Sequence, residues 1–227
     1  MPSSPVRPQV IFFDLNETLL DFTSLHEAVN KALHNPGGFR QWFGLLLQYS
    51  EAATLTGQYF NFSTLADAAL DMAANMLQVK RLSDEQRHDT LHLFATVPAH
   101  PDVAPGLARL RTAGFRLFAL TNSAPDMVRQ QVQAAKIAEY FEQSLSIDAV
   151  RLYKPHPGAY HYATELAGVQ PAQALMVAAH GWDVAGAQAA GLQAAFIARP
   201  GQTIYPLAPT PDYQAPTISD LATQLLG

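Results

Sequence analysis

The sequence predicts an α/β protein, a doubly wound parallel sheet with an inserted helical cap. Short runs of consecutive apolar residues alternate with helical segments at the start of the chain and again from about residue 97. Such runs are typical of strands buried on both faces, and their alternation with helices implies parallel strands joined by right-handed crossovers. From about residue 22 to 96 the pattern is helical throughout, with too many helices for one crossover. We therefore expect that block to form a separate subdomain.

The composition indicates a globular protein and argues against nucleic-acid and membrane partners. The 227 residues suffice for one core and an inserted subdomain, and 48% hydrophobic with 15% charged residues excludes a disordered chain. The net charge is -5 and the 14 lysines and arginines are scattered, so we expect no nucleic-acid and no membrane partner. The chain has no cysteine, which excludes disulfides and thiolate metal sites.

The chain shows no targeting signal that we recognise. Met1-Pro2-Ser3-Ser4-Pro5 lacks the basic region and apolar run of a signal peptide. No stretch approaches the roughly 18 consecutive apolar residues of a membrane span. We therefore expect a cytoplasmic protein.

The first predicted strand, Val10 to Phe13, is followed at once by Asp14. Ligands of open α/β sheets bind at the carboxyl ends of the strands, so Asp14 stands where a catalytic group would be placed. The alternative is that Asp14 only ends the strand or caps a turn.

The helical block is expected to begin at Ser24, which has the spacing of a capping box with Glu27. The turn residues 35–38 end this first helix. Three further helices are predicted over residues 39–53, 63–77 and 83–96. We expect residues 22–96 to form the cap over Asp14, and residues 1–21 and 97–227 to form the core.

The second part of the chain alternates helices and strands. Helices are predicted over 105–113, 125–135, 158–167 and 184–190, and strands over 115–120, 141–146, 174–179 and 194–198. The tail, residues 200–216, is rich in proline and is expected to be irregular.

Polar residues stand at four successive strand ends or adjacent loops: Asp14 with Thr18, Thr121 with Asn122, Lys154, and Asp183. If these loops share one edge of the sheet, the groups form a site suited to nucleophilic catalysis. Each has an ordinary alternative, since Lys154 could be a solvated loop lysine and Asp183 the N-cap of the next helix. Four such coincidences at strand ends are less expected than one site.

The chain resembles the haloacid dehalogenase superfamily in four motifs that occur in the superfamily's order: Asp14-x-x-x-Thr18, Thr121-Asn122, Lys154-Pro155 and Asp183. The resemblance covers nearly the whole core, and the insertion lies where that superfamily places its helical cap. It implies a Rossmann-like core and a covalent nucleophile at Asp14.

Two departures separate the chain from the magnesium-dependent phosphatases of the superfamily. Asn16 stands where those enzymes have an aspartate that protonates the leaving oxygen, and Ala178 and Ala179 replace part of the acidic fourth motif. Because Mg²⁺ prefers carboxylate ligands, we expect no metal and no cofactor.

The chain is more similar to the type II 2-haloacid dehalogenases. Lys154 and Tyr160 have the spacing of that group's lysine and tyrosine, Arg40 matches the position of its halide-binding arginine, and Trp182-Asp183 matches its fourth motif. Its usual serine and asparagine are replaced by Ala178 and His180. The resemblance implies hydrolysis of a short halogenated carboxylic acid, with fluoroacetate as one hypothesis, and a homodimer as one expected assembly.

The resemblance also implies roles for the site residues. Asp14 would displace halide and form an ester, Lys154 would keep Asp14 ionised, and Asp183 or His180 would activate the hydrolytic water. Arg40 and Asn122 would stabilise the departing anion. The remaining residues are expected to bind the substrate or close the pocket: Leu15, Asn16, Thr18, Thr121, Tyr160 and Trp182.

Other functions stay open at this point. A magnesium-dependent phosphatase, a hydrolase of another activated small acid and a non-catalytic interaction protein on the same fold are the alternatives. Arg40 could be an exposed residue at a helix start, and His180 could simply hydrogen-bond within its loop.

Overall fold

The structure is a computed structural model that describes residues 7–227, so the predicted lack of a signal peptide at Met1 to Pro5 lies outside the described residues. Six parallel strands form one sheet in the order β3-β2-β1-β4-β5-β6. Their bounds are β1 Val10–Phe13, β2 Arg116–Thr121, β3 Gln143–Ser146, β4 Ala174–Ala178, β5 Gln193–Ile197 and β6 Tyr213–Ala215. The predicted doubly wound sheet is confirmed.

Helices connect these strands. Their bounds are α1 Thr23–Ala32, α2 Gly38–Leu55, α3 Phe62–Met76, α4 Asp84–Thr96, α5 Val103–Thr112, α6 Pro125–Ala134, α7 Pro157–Ala167, α8 Gly181–Ala189 and α9 Ile218–Leu226. Within the described chain, no helix is both long and apolar enough to cross a bilayer.

The strand order reverses beside β1. The chain runs outward from β1 through β2 to β3, and β4 then returns to the other side of β1. The crevice at such a switch point is where ligands bind in open α/β sheets. All residues of β1 and β4 are buried, which is the reason their sequences are apolar without alternation.

The four helices α1 to α4 lie between β1 and α5 and share a core of aromatic side chains. Phe22 packs edge-on against Phe39, Phe43 and Phe94, and the indole nitrogen of Trp42 donates to the Ala66 carbonyl at 2.8 Å. Aromatic pairs at these angles contribute packing energy beyond the area that they bury.

The cap contacts the core at the loop that follows β3. The hydroxyl of Tyr153 donates to the Phe60 carbonyl at 2.6 Å, and its backbone N–H donates to the Thr54 hydroxyl at 3.1 Å. Tyr153 immediately precedes Lys154, so this contact links the cap to a predicted catalytic residue.

The predicted start of α1 is wrong, and the alternative in which Asp183 is the N-cap of α8 does not hold. Helix α1 begins at Thr23 without a side-chain cap, and the Asp21 carboxylate accepts from the Thr23 backbone instead of Ser24 pairing with Glu27. Helix α8 begins at Gly181, so Asp183 lies in its first turn and is not its N-cap. A capping box does form at the start of α4, between Ser83 and Gln86.

The part of the chain that follows β5 contains two elements that were not predicted from the sequence. One of them, β6, lies in the segment 200–216 that was expected to be irregular. Strand β6 pairs with β5, and α9 packs against α5. The carboxylate of Asp102 accepts from the Ile218 backbone N–H and from Arg199, which fixes the start of α9. A strand of three residues is too short to show a hydrophobic pattern in the sequence. Strand β6 forms because it pairs with β5.

Candidate active site

The site is built around Asp14, which follows β1 at the switch point of the sheet. Its backbone N–H donates to the Val177 carbonyl at 3.0 Å, and its side chain is buried. The Thr18 hydroxyl donates to Asp14 Oδ2 at 2.7 Å and accepts from the Ala179 backbone N–H at 2.9 Å. Thr18 therefore fixes one carboxylate oxygen and ties the loop after β1 to the end of β4.

Lys154 bridges two carboxylates from neighbouring strand ends. Its ammonium Nζ donates to Asp14 Oδ1 at 2.9 Å, to Asp183 Oδ2 at 2.6 Å and to the Leu120 carbonyl at 3.0 Å. All three donor positions of the ammonium are thus used, and the side chain is only 1% exposed. The other oxygen of Asp183, Oδ1, accepts from the Tyr160 hydroxyl at 2.7 Å.

The charges of this cluster shift the ionisation of its members. Burial opposes the charge of Asp14, but the Lys154 ammonium and His180 outweigh burial and hold the Asp14 pKa well below its usual range. Burial likewise opposes the charge of Lys154, yet the two carboxylates raise its pKa. Burial and the nearby Asp14 charge raise the pKa of Asp183 despite the Lys154 ammonium. Asp14 is consequently an ionised carboxylate at neutral pH.

Thr121 is the last residue of β2 and Asn122 follows it, and both bind backbone groups next to the site. The Asn122 side chain pairs with the backbone of Lys154, accepting from its N–H at 3.0 Å and donating to its carbonyl at 3.4 Å. The Thr121 hydroxyl accepts from the Ser123 backbone N–H at 3.2 Å. Asn122 therefore positions the lysine loop through its amide oxygen and one N–H, and its contact with a departing anion stays a prediction.

The side chains of Leu15 and Asn16, the two residues after Asp14, contact other parts of the protein. Leu15 lies in the core. The Asn16 amide donates to the Ser123 hydroxyl at 3.3 Å and accepts from Gln131 at 3.1 Å. Asn16 thus joins the first loop to α6, in the position where a phosphatase would place its general acid.

His180 faces Asp14 from the loop that follows β4. Its Nδ1 atom lies 3.5 Å from Asp14 Oδ2, and its Nε2 atom hydrogen-bonds Glu17 Oε2 at 2.9 Å. The imidazole stacks on Trp182 with ring centroids 5.3 Å apart. Burial lowers the pKa of His180, but the Asp14 and Glu17 carboxylates outweigh burial and raise it to about 9. At neutral pH His180 is therefore an imidazolium.

Two buried nitrogens at this end of the site have no hydrogen-bond partner among the described residues, His180 Nδ1 and Trp182 Nε1. A buried polar atom without a partner costs stability unless a ligand or water supplies one. These donors are therefore available to a bound anion.

Glu17 and His26 belong to the site, although no role was predicted for either residue from the sequence. The Glu17 carboxylate forms hydrogen bonds with His180 at 2.9 Å, with His26 at 3.2 Å and with Gln202 at 3.2 Å. Glu17 also adopts a positive φ of 60°, which is uncommon for a residue with a side chain. The only sequence signal was its place between Asp14 and Thr18, in the loop where chemistry is expected.

Arg40 does not reach this cluster. Helix α2 turns Phe39, Trp42, Phe43 and Leu46 inward, and Arg40, one residue after Phe39, is exposed on the outer face. Arg40 lies about 100° around the helix axis from Phe39, and its side chain is exposed. Instead the Phe43 ring faces His180, with centroids 6.3 Å apart. This corrects the prediction that Arg40 binds the leaving halide.

The position of Arg40 leads to a first prediction. Arg40→Ala should leave kcat/KM within about twofold of wild type, because exposed substitutions away from the site have small effects. Rates of halide release from chloroacetate would be compared for Arg40→Ala and for Arg129→Ala, another exposed arginine. A loss of tenfold or more confined to Arg40→Ala would show that the cap brings this side chain into the site.

The arrangement provides an ionised carboxylate whose two oxygens face different partners. Lys154 holds one oxygen, and Thr18 and His180 lie at the other. Among the described residues, no group of three or more His, Asp or Glu side chains is arranged to hold a metal ion. The geometry suits nucleophilic attack by Asp14 next to donors for an anionic substrate.

Comparisons with known proteins agree with this geometry. The family described as haloacid dehalogenase-like hydrolase matches residues 8–191. The chain is 32% identical to (S)-2-haloacid dehalogenase 1 of Pseudomonas sp. (strain CBS-3), over 98% of this chain and 97% of that protein.

Solved structures show the same likeness. L-2-haloacid dehalogenase from Xanthobacter autotrophicus, with chloropropionic acid covalently bound, superposes with a TM-score of 0.88 at 28% identity, covering 97% of this chain and 99% of that one. A defluorinating L-2-haloacid dehalogenase superposes with a TM-score of 0.83 at 26% identity, covering 100% and 98% of the two chains.

Proposed function

The chain belongs to the haloacid dehalogenase-like hydrolases, and we propose that it removes halide from short 2-haloalkanoic acids to give 2-hydroxy acids. The observation that carries the proposal is the ammonium of Lys154 between Asp14 and Asp183. It supplies a fixed positive charge beside the nucleophile and keeps Asp14 ionised.

In the first step, Asp14 Oδ2 or Oδ1 attacks the carbon that bears the halogen. A new carbon–oxygen bond forms, the carbon–halogen bond breaks with its electron pair on the halide, and an ester remains on Asp14. A halide leaves as a stable anion and needs no proton. The amide of Asn16, which cannot donate an acidic proton, is therefore sufficient at its position.

The substrate carboxylate and the departing halide both require positive charge or N–H donors. Because Arg40 is exposed, we assign this role to His180 Nδ1 and Trp182 Nε1, the two buried nitrogens without a partner in the described chain. Charge-assisted hydrogen bonds of the imidazolium are roughly twice as strong as neutral ones.

In the second step, water attacks the carbonyl carbon of the Asp14 ester and releases the 2-hydroxy acid. The reaction consumes one water and yields one proton and one halide per turnover. The roles of Thr18, Tyr160 and Asn122 are to hold Asp14, Asp183 and the Lys154 loop in place.

A panel of acids tests this proposal and its independence of metal. Chloroacetate, both enantiomers of 2-chloropropanoate, fluoroacetate and a phosphate monoester would be assayed with and without excess chelator. We expect halide from the chloroacids at a rate that neither chelator nor Mg²⁺ changes, since Asn16, Ala178 and Ala179 leave the carboxylate set of the magnesium-dependent phosphatases incomplete.

Phosphate release that requires Mg²⁺, with no halide release, would overturn the proposal in favour of a phosphatase.

The assay with fluoroacetate tests whether the enzyme also releases fluoride. Fluoride is strongly hydrated, so its release requires charge-assisted donors, which His180 provides here. We propose that fluoroacetate is accepted and that His180→Asn loses fluoride release more than chloride release.

A further inference from the structure

We propose that Arg199, paired with Asp102, is a positioning residue that fixes Thr18 and thereby orients the Asp14 carboxylate for attack. The inference rests on the proposed function and extends it to two residues outside the cluster around Lys154. Arg199 follows β5, and Asp102 directly precedes α5. Their part in the reaction follows from three sets of contacts.

The first observation is the contact of Arg199 with the loop that carries the nucleophile. The guanidinium Nε donates to the Thr18 backbone carbonyl at 3.0 Å, and Arg199 is only 7% exposed. The hydroxyl of Thr18 in turn donates to Asp14 Oδ2 at 2.7 Å. Arg199 therefore holds the main chain of the residue whose side chain fixes one oxygen of the nucleophile.

The second observation is that the guanidinium is itself held in place. Its Nη1 and Nη2 atoms donate to the two oxygens of Asp102 at 2.7 and 3.0 Å. A bidentate pair of this kind fixes the plane of the guanidinium as well as its position. Burial opposes the charge of Asp102, but the hydrogen bonds from Arg199 and from the Ile218 N–H outweigh burial and lower its pKa. At neutral pH the ion pair is therefore formed, and it directs Nε toward Thr18.

The third observation is that the loop after β1 is strained and is held by donors from outside it. Glu17 has a φ of 60°, in the left-handed region, and residues 14–20 contain no glycine. Strained backbone of this kind persists only where the surrounding structure determines it. The carbonyl of Glu17 accepts from His100 Nε2 at 3.3 Å, and the next carbonyl along the chain accepts from Arg199. These two donors hold the turn that places the Thr18 hydroxyl at Asp14.

The alternative is that the pair only anchors the last helix, because the Asp102 carboxylate also accepts from the Ile218 N–H at 2.7 Å. Arg109 provides a matched control for this alternative. Its Nη1 atom donates to the Ser219 carbonyl and to the Thr223 hydroxyl, each at 3.0 Å. A change at Arg109 therefore disturbs the docking of α9 through contacts other than those of the nucleophile loop.

Arg199→Lys tests the inference, because lysine keeps the charge but lacks the planar fork that binds Asp102 and Thr18 together. Chloride release from chloroacetate would be followed in a single turnover with saturating enzyme, where an unfolded fraction does not change the rate constant. We expect a rate constant about 10- to 100-fold below wild type, since a misplacement of about 1 Å can cost on the order of 10²-fold. KM should stay within about threefold, and Arg109→Lys should keep the wild-type rate constant within about twofold.

A second readout reports the position of Thr18 without any substrate. The Ala179 N–H donates to the Thr18 hydroxyl at 2.9 Å, so its hydrogen exchange, measured by NMR, depends on where that hydroxyl lies. In Arg199→Lys we expect the Ala179 amide to exchange about tenfold faster relative to the amide of Met176, which lies inside β4. A general loss of stability would accelerate the exchange of both amides equally and leave their ratio unchanged.

If Arg199→Lys does not fold, Asp102→Asn takes its place with the same expectations, because it removes the charge that holds the guanidinium. A rate constant within about twofold of wild type, or an unchanged ratio of the two exchange rates, would overturn this inference alone. An equal loss of rate in Arg109→Lys would also overturn it and would assign the effect to the docking of α9. Absence of halide release from the wild-type protein would instead overturn the proposed function, and the exchange ratio would still test whether Arg199 fixes Thr18.

Discussion

Asp14→Asn is expected to lower kcat by about 10⁴-fold or more, the scale of loss when a catalytic nucleophile is removed. The amide oxygen is a poor nucleophile and cannot form the ester. The change preserves shape. The amide oxygen can still accept from Lys154, and the new N–H group can donate to the Thr18 hydroxyl, so the fold should persist. Circular dichroism and thermal unfolding would establish that the variant is folded before its activity is compared.

The isotope experiment identifies the attacked atom. A single turnover of the wild-type enzyme in ¹⁸O-labelled water should place label on Asp14, because water attacks the ester carbonyl. The matched control for Asp14→Asn is Asp89→Asn, at an exposed position in α4, which should retain wild-type turnover. Label found only in the hydroxy acid would indicate direct attack by water on the substrate and would refute the covalent mechanism.

Lys154→Met is expected to have a large effect on both stability and activity. Removing one partner of a buried ion pair typically costs about 3–5 kcal/mol, because it leaves an uncompensated buried charge. Here two carboxylates, Asp14 and Asp183, would lose their shared cation. The pKa of Asp14 would rise, since burial would no longer be opposed by the ammonium.

Urea unfolding at pH 7 measures the loss of folding stability in Lys154→Met, and Lys80→Met, at an exposed lysine, is the matched control.

The sign of the pH dependence follows from the depressed Asp14 pKa. In the wild-type protein this carboxylate contributes stability above its unfolded pKa of 3.8, and the contribution is lost as the pH falls through the folded value. The variant should therefore be less stable than wild type at pH 7, with the difference shrinking toward acid pH. Equal stability at pH 7 would contradict the bridging role.

Part of the site could be predicted because strand ends are readable in the sequence. Apolar runs mark β1, β2 and β4, and the polar residues directly after them must share one edge of a parallel sheet. Asp14 and the residues at the other strand ends were found in this way, and Lys154 by its place in the loop before α7. Their convergence on one ammonium follows from the sheet order.

Residues whose roles depend on a side-chain direction were not predictable. Arg40 lies in a helix with apolar residues on most sides, so the pattern alone did not show which face packs inward. The packing of Phe22, Phe39 and Phe43 decided that face, and it left Arg40 in solvent. Asn122 was predicted to stabilise a departing anion, whereas its pairing with the Lys154 backbone is seen only in the folded loop.

The sequence by itself determined the doubly wound sheet, the helical insertion and the place of Asp14 after the first strand, because these depend on local hydrophobic patterns and on short-range order along the chain. The tertiary structure alone decided the Glu17–His180 pair, whose members lie 163 positions apart, and the pairing of β6. Contacts between residues so distant in sequence leave no local pattern. They arise only when the loops after β1 and β4 meet at the switch point of the sheet.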